Sequence, residues 1–175
     1  MLYQVSVLAS IMMASQRSKI DCSVLHNTNN TPIHKEYMMK IFYKTRATAT
    51  GGRSGHTGLD DGSLGFDLVS FQETDKEGVN PEQLFAMGYA ACFDSALNLT
   101  AQQMKLPITA SKTSTQVGIG MKADGSYNLD IDLYVEVSGI DESQAQTLVE
   151  TAHQVCPYSN ATRGNVDARL HVTVV

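Results

Sequence analysis

No apolar run in the 175-residue chain is long enough to cross a membrane as a helix, which takes roughly eighteen residues. Basic residues are not in excess either: 13 Lys and Arg stand against 18 Asp and Glu, giving a net charge of -5. That balance is opposite to the footprint of nucleic-acid binding, so DNA, RNA and anionic membrane are not expected partners. Cysteine is scarce. Three residues, an odd number, are too few for a secreted disulfide scaffold and point instead to thiol chemistry in a reducing compartment. No internal repeat or low-complexity tract is visible, and a chain 42% hydrophobic and 18% charged is neither a disordered polymer nor a coiled coil. What remains is a globular protein of one domain, long enough to bury a core.

Residues 1–37 differ from the rest of the chain. They lack a clean period and end in the polar stretch from Asn27 to Pro32, so they read as an N-terminal extension, disordered or upstream of a functional start at Met38 or Met39. The apolar start Met1 to Ala14 resembles a signal core, but no Lys or Arg precedes it and no small-residue cleavage site stands out. A cytoplasmic location is expected, with organelle targeting through Arg17 and Lys19 as the alternative.

Residues 38–175 carry the periodic pattern. Lys40 to Ala49, rich in β-branched and aromatic residues, predicts a strand, and Gly65 to Phe71 a second, with a glycine-rich loop between them. Asn80 followed by Pro81 predicts a helix start, and the helix is expected to run to about Met104. Leu84, Met87, Ala91, Cys92, Ser95, Ala96 and Leu99 form one apolar and small stripe, while Phe85, Tyr89 and Phe93 fill other faces, so this helix is expected to be buried nearly all round. Ile108 to Met121 and Tyr127 to Val137 flank Asp124-Gly125, a hairpin signal, and the second arm alternates apolar and polar residues. Asp141 caps a further helix with the stripe Ala145, Leu148, Val149, Ala152 and Val155, interrupted at Cys156-Pro157. Val166 to Val175 predicts a last strand, and the whole order suggests an α+β fold with a mostly antiparallel sheet.

The chemistry-bearing residues are few. Cys92 sits mid-helix, where a buried free cysteine is commonly an inert small hydrophobe. Cys156 precedes a proline at a helix end, where chain breaks expose side chains, and with Cys92 it suggests a redox pair. Cys22, in the extension, is incidental. Cys156-Pro-Tyr-Ser159 is similar to a glutaredoxin motif without its second cysteine, but it lies near the C-terminus and not on a first helix after an early strand. His153 with Cys156 and Cys92 offers three zinc donors but no recognisable fourth. The loop Gly51 to Gly58 lacks the Gly-Lys-Ser/Thr ending of a phosphate loop, and either forms a flexible surface loop or carries Arg53 as a cation into a site. Ser95 lacks a nucleophile-elbow sequence, so an esterase triad is not expected.

From Met39 onward the chain resembles the organic hydroperoxide resistance branch of the Ohr/OsmC superfamily. The resemblance rests on Gly51-Gly-Arg53-Ser-Gly55, on Asn80-Pro-Glu82 through Cys92-Phe93, and on Val155-Cys156-Pro-Tyr-Ser-Asn-Ala-Thr-Arg-Gly-Asn165. It implies an α+β fold with a mostly antiparallel sheet packed on a long buried central helix, in an intertwined homodimer. It further implies a thiol peroxidase that reduces organic hydroperoxides, with Cys92 as the attacking cysteine, Cys156 as the resolving one, and Arg53 and Glu82 as the polar pair that activates the thiolate. No bound cofactor or metal is implied; the electron donor would be an external dithiol, such as dihydrolipoamide on a lipoylated protein.

The roles make independent physical sense. A guanidinium near a thiol favours the reactive thiolate, and a carboxylate holds that guanidinium by two parallel hydrogen bonds. Apolar residues such as Met87, Phe93, Phe66 or Phe71 around Cys92 would favour organic peroxides over hydrogen peroxide. Glu82 and Cys92 are ten residues apart on one expected helix, about 15 Å along its axis, so an Arg53 that grips Glu82 is expected to serve Cys92 of a partner subunit. A thiol redox sensor acting through a partner protein and an inactive lipid-binding relative are the competing readings; turnover with a dithiol separates the first, and the presence of Arg53, Glu82 and both cysteines argues against the second.

Overall fold

The computed structural model describes residues 39–73 and 75–175, so the expectations for residues 1–37, Cys22 among them, lie outside the described residues. Strand β1 (Ala47–Thr50), strand β2 (His56–Leu59) and strand β3 (Gly65–Asp67) form a small antiparallel sheet in chain order. The first strand is shorter than the stretch Lys40 to Ala49 predicts. Residues 40–45 have the composition of a strand but pair with no strand among the described residues, and they are exposed; pairing, not propensity, sets the boundary. The second predicted strand also stops early, at Asp67, after which Leu68 makes only a single bridge to Val79.

The glycine-rich stretch is more ordered than a surface loop. It makes one 3-10 turn, Gly52–Ser54, entered through Gly51 at φ 75° and left through Gly55, where a Cβ would fall 1.8 Å from the Thr50 carbonyl oxygen. Only glycine fits there, because the chain folds back on itself at van der Waals contact.

Helix α1 (Pro81–Met104) begins as expected, with Pro81 in the first turn and a reciprocal cap between Asn80 and Gln83. Its burial is one-sided, which corrects the all-round expectation. Tyr89, Phe93, Ala96, Leu97, Thr100 and Ala101 are buried, whereas Met87 and Leu99 from the predicted stripe are each 53% exposed. Among the described residues of the single chain, α1 packs on neighbours along one side.

That neighbour is a second sheet. Strand β4 (Ala110–Met121) and strand β5 (Tyr127–Ser138) form the expected hairpin, turning at Gly125 with φ 82°. Ile131, Leu133, Val135 and Val137 of β5 are buried against the helices. On the opposite, expectedly wet face Asp132 is nearly buried too, held by Arg169 and by His171 Nε2 at 2.7 Å. Helix α2 (Glu142–Val155) is capped by Asp141 and Gln144, and it buries Ala145, Leu148, Val149 and Ala152 while Val155 is left half exposed. After Cys156 the chain resumes helix as α3 (Pro157–Thr162), a turn and a half that periodicity does not reveal. Strand β6 (Ala168–Val174) pairs with β5 in parallel, so α2 and α3 form the crossover between them. The other pairings are antiparallel, and α1 packs on β4 and α2 to close the core. Among the described residues no helix is long and apolar enough to cross a membrane.

Candidate active site

Cys92 lies halfway along α1 and is half-buried, while Cys156 ends α2 and begins α3. Their sulfurs are 3.7 Å apart and both are free thiols. Cys156 is completely buried, contrary to the exposure expected of a helix break. The reason is α3, which folds the chain back onto α1 instead of letting it leave the surface.

The contacts that hold α3 there are specific. Tyr89 Oη and Ser159 Oγ are 2.9 Å apart, and both residues are buried. The Tyr158 ring packs on Phe85 and Tyr89, with centroids 5.8 and 5.6 Å away. Its hydroxyl sits over Gly88, where an added Cβ would come within 3.0 Å of it. Arg163 Nη2 donates to the His153 carbonyl and Nη1 to Asn160 Oδ1, both at 2.7 Å. Tyr89, Tyr158 and Ser159 carry no role in the sequence reading. The spacing Phe85, Gly88, Tyr89, Cys92 puts four residues on one face of α1, but nothing in it points to Tyr158 or Ser159.

Burial pushes the Cys92 thiol above its ordinary range, and the adjacent Cys156 adds to this. The Tyr158 backbone N–H, which donates to the sulfur, pulls the other way. A thiol so placed stays protonated unless a cation approaches. His153, one turn before Cys156, lies with its ring 6.4 Å from Phe93, and burial lowers its pKa, with Arg163 adding to the effect. Among the described residues no three His, Cys, Asp or Glu side chains are grouped to hold a metal ion.

The second pair forms as expected. Arg53 Nη1 donates to Glu82 Oε2 at 2.8 Å and Nη2 to Oε1 at 2.6 Å, two parallel bonds of a planar fork. The glycine turn presents Arg53, and the first turn of α1 presents Glu82, where the helix terminus favours a carboxylate. Arg53 holds the Glu82 carboxyl below its usual range, and Glu82 in turn raises the guanidinium. Phe71 and Ile119 line two hollows beside this pair, one of about 340 Å³ at Glu82 and one of about 580 Å³ at Arg53. Of the apolar residues expected near Cys92, Phe71 thus stands by the ion pair, Phe93 lies in the core and Met87 faces outward.

Each pair is assembled, but the two pairs stand apart in one chain. α1 is continuous from Glu82 to Cys92, which separates them by about 15 Å along the axis. The groups that shift the Cys92 thiol are Tyr158 and Cys156; Arg53 is not among them.

The chain is similar to known proteins over this whole region. The family of OsmC-like proteins matches residues 74–171. The organic hydroperoxide resistance protein of Xanthomonas axonopodis pv. citri (strain 306) is 46% identical over 135 residues, which cover 75% of this chain and 94% of that protein. Organic hydroperoxide resistance protein OhrB of Bacillus subtilis (strain 168) is 45% identical over 134 residues, 74% of this chain and 97% of its own. The crystal structure of an organic hydroperoxide resistance protein from Elizabethkingia anophelis superposes with a TM-score of 0.73 at 44% identity, covering 78% of this chain and all of that one.

Proposed function

The chain belongs to the organic hydroperoxide resistance branch of the OsmC-like family, and from that membership we propose that it is a cysteine-based peroxidase that reduces organic hydroperoxides to alcohols. The names of its relatives support a role in peroxide resistance. Two reduced sulfurs at 3.7 Å, one half-buried and one buried, carry the finer reading. Of the two described cysteines, Cys92 has the exposure to meet a peroxide and Cys156 is near enough to trap the product.

In this cycle the Cys92 thiolate attacks the terminal peroxide oxygen. A sulfur–oxygen bond forms, the oxygen–oxygen bond breaks, and the alkoxide leaves to take up a proton as an alcohol. The resulting sulfenic acid condenses with the Cys156 thiol to a disulfide and water. An external dithiol, for which we take dihydrolipoamide on a lipoylated protein, restores both thiols by exchange. Such a cycle suits a reducing cytoplasm.

A homodimer completes the site. The Arg53–Glu82 pair of one subunit approaches Cys92 of the other, lowers its raised thiol pKa and stabilises the departing alkoxide. The exposed side of α1, with Met87 and Leu99, supplies the face on which the subunits meet, and the apolar hollows at Phe71 and Ile119 receive the organic part of the substrate. Steady-state consumption of an alkyl hydroperoxide and of hydrogen peroxide, with dihydrolipoamide as donor, tests the reading. Cys92→Ser is expected to consume neither, and Cys156→Ser to consume about one equivalent and stall. Sustained turnover by Cys92→Ser would overturn it.

A further inference from the structure

One buried polar pair lies beside both sulfurs without taking part in the bond changes of the proposed cycle. Tyr89 Oη and Ser159 Oγ, 2.9 Å apart, belong to residues with no solvent exposure. Tyr89 precedes Cys92 by three residues on α1, and Ser159 follows Cys156 by three on α3. The bond therefore ties the backbone that carries one sulfur to the backbone that carries the other, within one helical turn of each. α3 has six residues and would not hold a fixed position by its own hydrogen bonds.

The rest of the corner supports the same placement. Arg163 links α3 back to the end of α2 through the His153 carbonyl, and the Tyr158 ring rests on Phe85 and Tyr89. Among the described residues the Tyr89–Ser159 bond is the side-chain hydrogen bond between α1 and α3, beside the Tyr158 N–H that donates to the Cys92 sulfur.

We propose that Tyr89 and Ser159 are positioning residues for the resolving step, holding the α2–α3 corner so that the Cys156 sulfur stays within reach of the Cys92 sulfur. In that step the Cys156 sulfur gives an electron pair to the Cys92 sulfur, the sulfur–oxygen bond of the sulfenic acid breaks, and hydroxide leaves with the Cys156 proton as water. The sulfurs must close from 3.7 Å to about 2 Å, a short movement only while the corner is held. The proposal rests on Cys92 as attacking and Cys156 as resolving cysteine.

Tyr89→Phe and Ser159→Ala each remove one oxygen and little else, and the double variant removes both, leaving no orphaned hydroxyl. With a limiting alkyl hydroperoxide, rapid mixing follows peroxide loss, and quenching into dimedone counts sulfenic acid on Cys92. All three variants are expected to lose peroxide at the wild-type rate but to form the disulfide about tenfold or more slowly, with dimedone-labelled Cys92 accumulating. The double variant is expected to recover the unfolding temperature that the single variants lose, but not the closure rate. A purely structural role would move the unfolding temperature and leave the closure rate alone. Wild-type closure in the double variant overturns the proposal whatever the single variants do. Absence of any dimedone adduct in peroxide-treated Cys156→Ser would instead remove the peroxidase reading beneath it.

Discussion

Arg53 stays charged at any accessible pH, so acid reaches the ion pair only through Glu82. The folded Glu82 carboxyl lies below its ordinary range because Arg53 bonds to it. Its contribution to stability is therefore complete above the unfolded value near about 4.3 and is lost as pH falls through the lower folded value. Arg53 is 40% exposed, so solvent screening keeps the contribution to about 1 kcal/mol or less. Urea unfolding at pH 6 and in that acid window should show a steeper loss for wild type than for Glu82→Gln. In the proposed site the charge acts on Cys92 in the same sense: Arg53→Ala is expected to raise the thiol pKa read by iodoacetamide alkylation, and Arg53→Lys to restore it in part, since an ammonium lacks the two-pronged grip on Glu82. Equal Cys92 pKa values in wild type and Arg53→Ala would show that Arg53 does not stabilise the thiolate. Arg53, Glu82 and both cysteines are legible in the sequence because their segments resemble a family motif. Tyr89 and Ser159 are not, because a hydroxyl pair 70 residues apart leaves no local pattern.

At the scale of elements, caps and turns are the most legible features, since their chemistry is local. Asn80-Pro81 and Asp141 start α1 and α2 where the sequence puts them, and Asp124-Gly125 turns the hairpin. Asn80→Ala removes the bond from the Asn80 side chain to the Gln83 amide and should cost about 1 kcal/mol, seen as a lower unfolding temperature with unchanged secondary structure. The side of α1 that meets the core is less legible. Both sides are apolar or small, and periodicity cannot tell the one packed on β4 and α2 from the one with Met87 and Leu99. The same limit explains β1: Ile41, Phe42 and Tyr43 favour a strand, but a strand exists only where a neighbour pairs with it. α3 escapes notice because six residues after a proline are too few to show a period.

For the proposed homodimer the question is where one site ends and the next subunit begins. Mixed dimers of Cys92→Ser and Arg53→Ala subunits decide it. A site shared between subunits leaves each mixed dimer one intact set of residues and about half the wild-type activity, whereas a site within one chain leaves none. Verified mixed dimers without activity would refute the shared site. The crossover that joins β5 to β6 has a further consequence, because it carries Cys156 while α1 carries Cys92. In the proposed cycle oxidation ties the chain into a loop spanning 64 residues, which limits the freedom of the unfolded chain by an upper figure of about 4 kcal/mol. The oxidised protein should melt at a higher temperature than the reduced one, and scanning calorimetry with and without a dithiol measures the gap. Working and spent molecules then differ in durability: when reductant runs short, the spent form resists heat and proteolysis best, and the stock of enzyme outlasts its supply of electrons.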